Sequence, residues 1–272
     1  MIYWDNNATT PLAPEVLEAM LPYLRENFYN PSAAYAAGKA VRKAIDHARE
    51  QVAALVGGDA SEIIFTSGGT EASNAALAQF RHVLTLATEH PATLRTARGE
   101  ASPVLSNGMA DLPEWRELLP GHDGASFAWA NHETGVIQPV LSLAAAAHEA
   151  GARVHVDLVQ AAGKLPMVLH DYAIDFASLS AHKIHGPKGV GALYVRTGTE
   201  CTPYLTGGAQ EDYRRAGTEN VAGIIGFGKA AEMAMAAAET YRNLSTLRDA
   251  MTFAVLRPTP GRVSRSSGSD GT

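Results

Sequence analysis

The chain has 272 residues, 46% of them hydrophobic and 18% charged, with a formal net charge of -6. That length gives one large domain or one domain with a smaller appendage, and the composition excludes a disordered, collagen-like or coiled-coil chain. The acidic balance argues against nucleic acid as a principal partner, and no apolar run reaches the roughly 18 residues of a membrane span. Cys201 is the one cysteine, so neither an internal disulfide nor a cysteine-cluster metal site can form, and a reducing, cytoplasmic compartment is expected.

In chain order, apolar residues at three- and four-residue intervals predict helices over 14–26 and 36–56. A short branched and aromatic run predicts a strand over 62–66, followed by a helix over 70–80 and a strand over 82–87. Further strands are predicted at 126–130, 153–156, 176–179 and 190–195, with a helix at 140–150. Short strands alternating with helices imply an α/β fold with a mostly parallel sheet flanked by helices. An Ala- and Met-rich stretch predicts a long helix from 220 to about 250. From Arg257 the composition turns to Pro, Gly, Ser and Arg, and this tail is expected to be disordered.

Three segments carry chemistry. Thr66-Ser67-Gly68-Gly69-Thr70-Glu71 lies between a predicted strand and helix, where free N–H groups and the positive helix end attract an anion. The same turn serves equally as a tight connection. Lys183, one of six lysines, follows an apolar strand with Ser180 and His182 beside it. A lysine held in a pocket there suits covalent capture of an aldehyde, because desolvation favours the neutral amine; a surface lysine in a Gly-Pro loop is the alternative. Asp157 ends the 153–156 run, where open α/β sheets place ligands. It can cap a turn, or it can keep a pyridine nitrogen protonated. His182 and His185 lack a third ligand nearby, so no metal site is expected.

Together these segments resemble the cysteine desulfurases of the NifS and IscS type, within the class V, fold-type I enzymes that use pyridoxal 5'-phosphate. The resemblance runs through Asp5-Asn6-Asn7-Ala8-Thr9-Thr10-Pro11, Asn30-Pro31-Ser32, Ser67-Gly68-Gly69-Thr70-Glu71, Thr88-Glu89-His90, Asp157-Leu158-Val159-Gln160, Ser180-Ala181-His182-Lys183 and Arg215-Ala216-Gly217-Thr218-Glu219-Asn220. It implies a fold-type I large domain with a seven-stranded-type sheet over 1–250, including an N-terminal arm over 1–15. It also implies that 251–272 is a remnant of a small domain that is largely missing. Lys183 would hold the cofactor covalently, Asp157 would pair with the ring nitrogen, and Gln160 would lie near the phenolic oxygen. His90 would stack on the ring and assist proton transfer.

Gly69, Thr70, Ser180 and His182 would bind the phosphate, with Thr218 reaching in from a second subunit of a homodimer. His132 stands where the family has an Asn toward the phenolic oxygen, and the imidazole can still donate a hydrogen bond. The implied activity converts L-cysteine to L-alanine and passes sulfur to an acceptor protein, for iron–sulfur cluster or other cofactor assembly. Relatives carry a cysteine loop and a carboxylate-binding arginine further on, so weak or absent turnover is expected of this chain, and Cys201 is read as an incidental thiol. Two alternatives stand beside this reading: another class V aminotransferase or lyase acting on a different small amino acid, and a cofactor-binding scaffold without turnover.

Overall fold

The structure is a computed structural model describing residues 2–256, without the side chains of 238–243 and 256. The expected tail from Arg257 lies outside the described residues. Seven strands form one sheet: β1 (Ile63–Thr66), β2 (Val83–Leu86), β3 (Gly99–Ser102), β4 (Gly124–Ala128), β5 (Arg153–Asp157), β6 (Phe176–Ser180) and β7 (Gly191–Val195). Their spatial order is β1-β7-β6-β5-β4-β2-β3. Strands β2 to β6 pair in parallel, and β7 runs antiparallel to both β1 and β6. The expected mostly parallel seven-stranded sheet is therefore the fold.

Among the described residues seven α-helices accompany the sheet: α1 (Pro14–Arg25), α2 (Ala36–Val56), α3 (Gly69–Leu77), the single turn α4 (Pro91–Leu94), α5 (Leu112–Leu118), α6 (Val140–Glu149) and α7 (Val221–Leu256). Both faces of the sheet are covered, which is why its strands read as apolar runs rather than alternating ones. Alternation survives as a division between two cores. Ile63 and Phe65 of β1 and Tyr194 of β7 pack with α2 and α7 residues such as Val52 and Phe227. Their neighbours Ile64 and Leu193 turn to the other face, against Ala72, Ala76 and Leu77 of α3.

That same parity builds the site. On the strands β4, β5 and β6, residues 126 and 128, 155 and 157, and 178 and 180 fall on one face, the face α3 covers. Here the contact is polar. Ser73 of α3 bonds Ser178 at 2.9 Å, His155 Nε2 lies 2.7 Å from Ser178 Oγ, and His155 Nδ1 lies 2.8 Å from Ser126 Oγ. Burial pushes His155 down to about 3, so this imidazole is neutral and serves as a link in the chain of hydroxyls.

Helix ends follow their local chemistry. Gly57, at φ 62, closes α2 in the left-handed conformation that costs a side chain most. Asp111 caps α5 by accepting from the Glu114 N–H at 3.4 Å. The first half of α7 buries Ile224, Phe227, Ala230 and Ala231 against the core. No helix among the described residues is long and apolar enough to cross a membrane.

Candidate active site

The carboxyl ends of β4, β5 and β6 open onto a cavity of about 490 Å³, within the roughly 300–1,000 Å³ of small-molecule sites. It brings together Gly69, Thr70, His90, His132, Asp157, Gln160, Ser180, His182 and Lys183, nine of the ten residues singled out in the sequence. Thr218 stands apart, in a cleft beside Ser67, Gly189 and Asn220.

Asp157 is the last residue of β5, and its Oδ1 accepts from the Val159 N–H at 2.8 Å. Burial raises the carboxyl's pKa, while His90, His132 and Lys183 draw it back down. This carboxylate therefore favours a cationic partner. Lys183 lies in the turn after β6, and its amine donates to the carbonyl oxygens of Asn7 and, at 3.0 Å, Ala8. Burial lowers its pKa, against the opposing pull of Asp157 and Asp5, so the neutral nucleophilic amine is more accessible than in a surface lysine.

His90 is fixed by its backbone setting. Its Nδ1 accepts from the Ala92 N–H at 3.0 Å, which leaves Nε2 as the protonated nitrogen of the neutral ring. Burial chiefly, with His132 and Lys183 nearby, holds it below the usual histidine range. The His132 ring sits edge-on to it, with centroids 5.5 Å apart. Asn131 is used otherwise: its Oδ1 accepts from the Glu133 and Thr134 N–H groups, and its Nδ2 donates to Thr88 O.

At the far end, α3 begins at Gly69, and the first N–H groups of a helix have no intrahelical acceptor. A side chain at Gly69 would meet Val159 Cγ2 at 2.8 Å, so glycine is what lets the helix start approach the β5 turn. Ser180, His182 and Lys188 face the hollow that adjoins this helix start. The His182 ring is placed by Thr9, whose Oγ1 lies 3.0 Å from Nδ1. Such a corner of N–H groups, hydroxyl and imidazole binds an anion.

The N-terminal segment forms the outer wall, a role not assigned from the sequence. Asp5, Asn7 and Ala8 line the cavity, Gln160 Nε2 donates to Asn7 O at 2.9 Å, and Thr10 is pinned to His182 O at 2.9 Å. Ser73 and Glu133 also line it without having been singled out for a role. Cys201 lies elsewhere, in a cleft beside Ile64, Thr66 and Arg214, where burial raises its thiol's pKa.

The carboxylate, the lysine and the anion corner fit pyridoxal 5'-phosphate: a ring nitrogen, an aldehyde and a phosphate each have a group of matching chemistry in one cavity.

The pattern of the class-V aminotransferases matches residues 2–262. A cysteine desulfurase of Trichormus azollae is 46% identical over 277 residues, covering 96% of this chain and 69% of that relative. A cysteine desulfurase of Gluconacetobacter diazotrophicus is 48% identical over 251 residues, covering 86% of this chain and 63% of the relative. Among solved structures, a NifS-like protein of Rickettsia africae superposes with a TM-score of 0.89 at 32% identity, covering 94% of this chain and 75% of the other. SspA in complex with cysteine superposes with a TM-score of 0.81 at 34% identity, covering 85% and 72%. A match of this extent, on this sheet and around this cavity, shows that the chain belongs to the class-V aminotransferase family, with high similarity to its cysteine desulfurases.

Proposed function

We propose that the chain acts on L-cysteine, removing its sulfur to leave L-alanine, with pyridoxal 5'-phosphate held in the cavity at the ends of β4, β5 and β6. The observation that carries the reading is the convergence of Asp157, Lys183 and the start of α3 on one cavity. When bound, the cofactor supplies an electron sink for the charge that develops as bonds at the substrate's α-carbon break.

The protein's residues divide the remaining work. Lys183 Nζ would hold the cofactor and, as a free amine, would be the base placed to move the substrate's α-proton. Asp157 keeps the ring nitrogen protonated by supplying a fixed anion in a desolvated place. Gly69 and Thr70, with Ser180 and His182, would hold the phosphate, while His90, with Nδ1 taken by the Ala92 N–H, would offer Nε2–H as a proton donor. Gln160 and His132 serve the phenolic oxygen. The carbonyl oxygens of Asn7 and Ala8 accept from the Lys183 amine and hold it at the mouth of the cavity.

The same reading makes the protein a cytoplasmic homodimer, with 1–250 as the cofactor-binding domain and Thr218 completing the partner's phosphate site. Three ion pairs anchor the loop 207–220 that carries Thr218: Arg49–Glu211 at 2.5 Å, Arg215–Glu71 at 2.7 Å and Arg42–Glu219 at 2.5 Å. They tie it to α2 and α3. Glu211, Asp212 and Tyr213 there hold positive φ of 48°, 54° and 63°, a costly conformation that those anchors sustain. Cys201 does not line the cavity and so is not placed to receive the sulfur, which passes in this reading to an acceptor thiol outside residues 1–272.

The test is to load purified protein with pyridoxal phosphate, add L-cysteine and a dithiol, and count alanine and sulfide. Equal amounts of the two, small beside those from a cysteine desulfurase relative and lost in Lys183→Ala, are expected; no alanine from the loaded parent would reject this reading in favour of a cofactor-binding scaffold without turnover.

A further inference from the structure

Lys164 lies outside the cavity lining, yet it is largely buried and bonded to a residue that lines it. Its Nζ donates to Gln160 Oε1 at 2.7 Å. The two residues are one turn apart in the helical turns after β5, where the N–H groups of Ala161 and Ala162 bond Leu158 O, and that of Leu165 bonds Ala161 O. Residues at this spacing share a face. The turn itself is held in place: Gly163 has φ 74, and a side chain on it would meet Ala234 Cβ at 2.8 Å.

An amide side chain can present either its oxygen or its NH₂ to a neighbour, and the choice decides what it recognises. An ammonium group can only donate. With Lys164 on one side, Gln160 must therefore turn its oxygen to the lysine and its NH₂ toward Asn7 and the cavity. One of the two N–H groups is taken by Asn7 O at 2.9 Å. The other remains for a ligand.

We infer that Lys164 is a positioning residue: it fixes the amide of Gln160 so that the cavity presents an N–H donor, and thereby selects a ligand with an acceptor oxygen beside its ring. The inference rests on the reading of the cavity as a pyridoxal-phosphate site. Burial, with Lys183 as a second cation nearby, also lowers the Lys164 amine to about 8. The ammonium thus remains the prevailing form at neutral pH.

The experiment compares two ligands that lack the aldehyde and cannot attach to Lys183: pyridoxine 5'-phosphate and its 3-deoxy analogue, which has no ring oxygen at that position. Affinities are measured by calorimetry for the parent, Lys164→Met and Lys164→Arg. The parent is expected to prefer the oxygen-bearing ligand about fivefold, the worth of one net hydrogen bond. That preference should fall in Lys164→Met, where Asn7 O alone orients the amide and His132 is the remaining donor, and return in Lys164→Arg, which restores the second anchor.

A parent that discriminates and a well-folded Lys164→Met that discriminates equally would overturn the role of Lys164 while leaving the cavity reading intact. A parent that binds neither ligand would overturn the cavity reading and this inference with it; one that binds both equally would overturn the donor role of Gln160 and the inference. Should Lys164→Met fail to fold, NMR on labelled parent decides. The Gln160 side-chain NH₂ signals must follow the titration of the Lys164 amine and lose that step in Lys164→Arg, whose guanidinium does not titrate. Signals that ignore the Lys164 titration would overturn the inference.

Discussion

The Lys183 amine lies 3.0 Å from the carbonyl oxygen of Ala8, a residue 175 positions earlier in the chain. A short N-terminal segment is thus laid across the end of the sheet, and it reaches the lysine through backbone oxygens. What holds the segment there is Thr10, 4% exposed, whose hydroxyl donates to His182 O at 2.9 Å and accepts from the His185 N–H at 2.8 Å.

Thr10→Val keeps the shape and removes both bonds, leaving the His185 N–H without its acceptor. The expected loss is about 1–3 kcal/mol of stability. It would be measured as a lower midpoint in urea, with faster acylation of Lys183 as the segment loosens. An unchanged midpoint and unchanged labelling would show that the segment is not held by this residue.

Asp5 is exposed and Asp157 is not, yet both stabilise the charged form of Lys183. Asp5→Asn removes one of these anions without touching the cavity floor, so the amine of Lys183 should titrate at lower pH than in the parent. Carbon NMR of labelled lysine side chains would follow it. The difference should shrink in high salt, because the charge it removes is exposed to solvent.

Two buried groups oppose each other in the pH dependence of stability. His155, pushed down to about 3, is neutral in the folded chain, whereas the unfolded chain protonates it below about 6.5. Its contribution is therefore complete above 6.5 and is lost as pH falls toward 3, about 2 kcal/mol of it between pH 7 and 5. His155→Gln should lack that loss, so unfolding in urea would show it losing less stability than the parent over this interval. A variant as acid-sensitive as the parent would contradict the neutral, buried imidazole.

Glu89 works in the other direction. Burial, with Asp157 nearby, raises its carboxyl to about 8, and it is 5% exposed. The folded chain holds this proton while the unfolded chain releases it above about 4.5, so stability contributed by Glu89 falls as pH rises from 4.5 through 8. Glu89→Gln keeps the shape and removes the dependence. Between pH 5 and 7 it should gain on the parent by on the order of 2 kcal/mol; a constant difference would contradict a protonated Glu89.

Much of this was legible in the sequence because strand ends and helix starts concentrate it. Helix 36–56 is predicted at its observed limits, and Asp157, Lys183 and the Gly69 turn stand out because each adjoins an apolar run, whereas the roles of these residues and of Ser180 rest on the family resemblance. The strand β3 was not, since Gly99-Glu100-Ala101-Ser102 has no branched or aromatic residue and is a strand only through its pairing with β2. Helix α5 is a short turn that buries Trp115 alone. Within the site, the closing segment was missed because Asn7 and Ala8 act through carbonyl oxygens that every residue has. The pairing of Lys164 with Gln160 depends on helical turns that the Gly163 pattern hides.

The central claim is that Lys183 is the residue that carries the cofactor, in the cavity that Asp157 also lines. The most direct measurement is reduction of the pyridoxal-phosphate-loaded protein with borohydride, followed by peptide mapping across its six lysines. The account predicts a pyridoxyl group on Lys183 and none on a Lys183→Ala variant. A label on Lys164, Lys188 or another lysine, with Lys183 untouched, would contradict it.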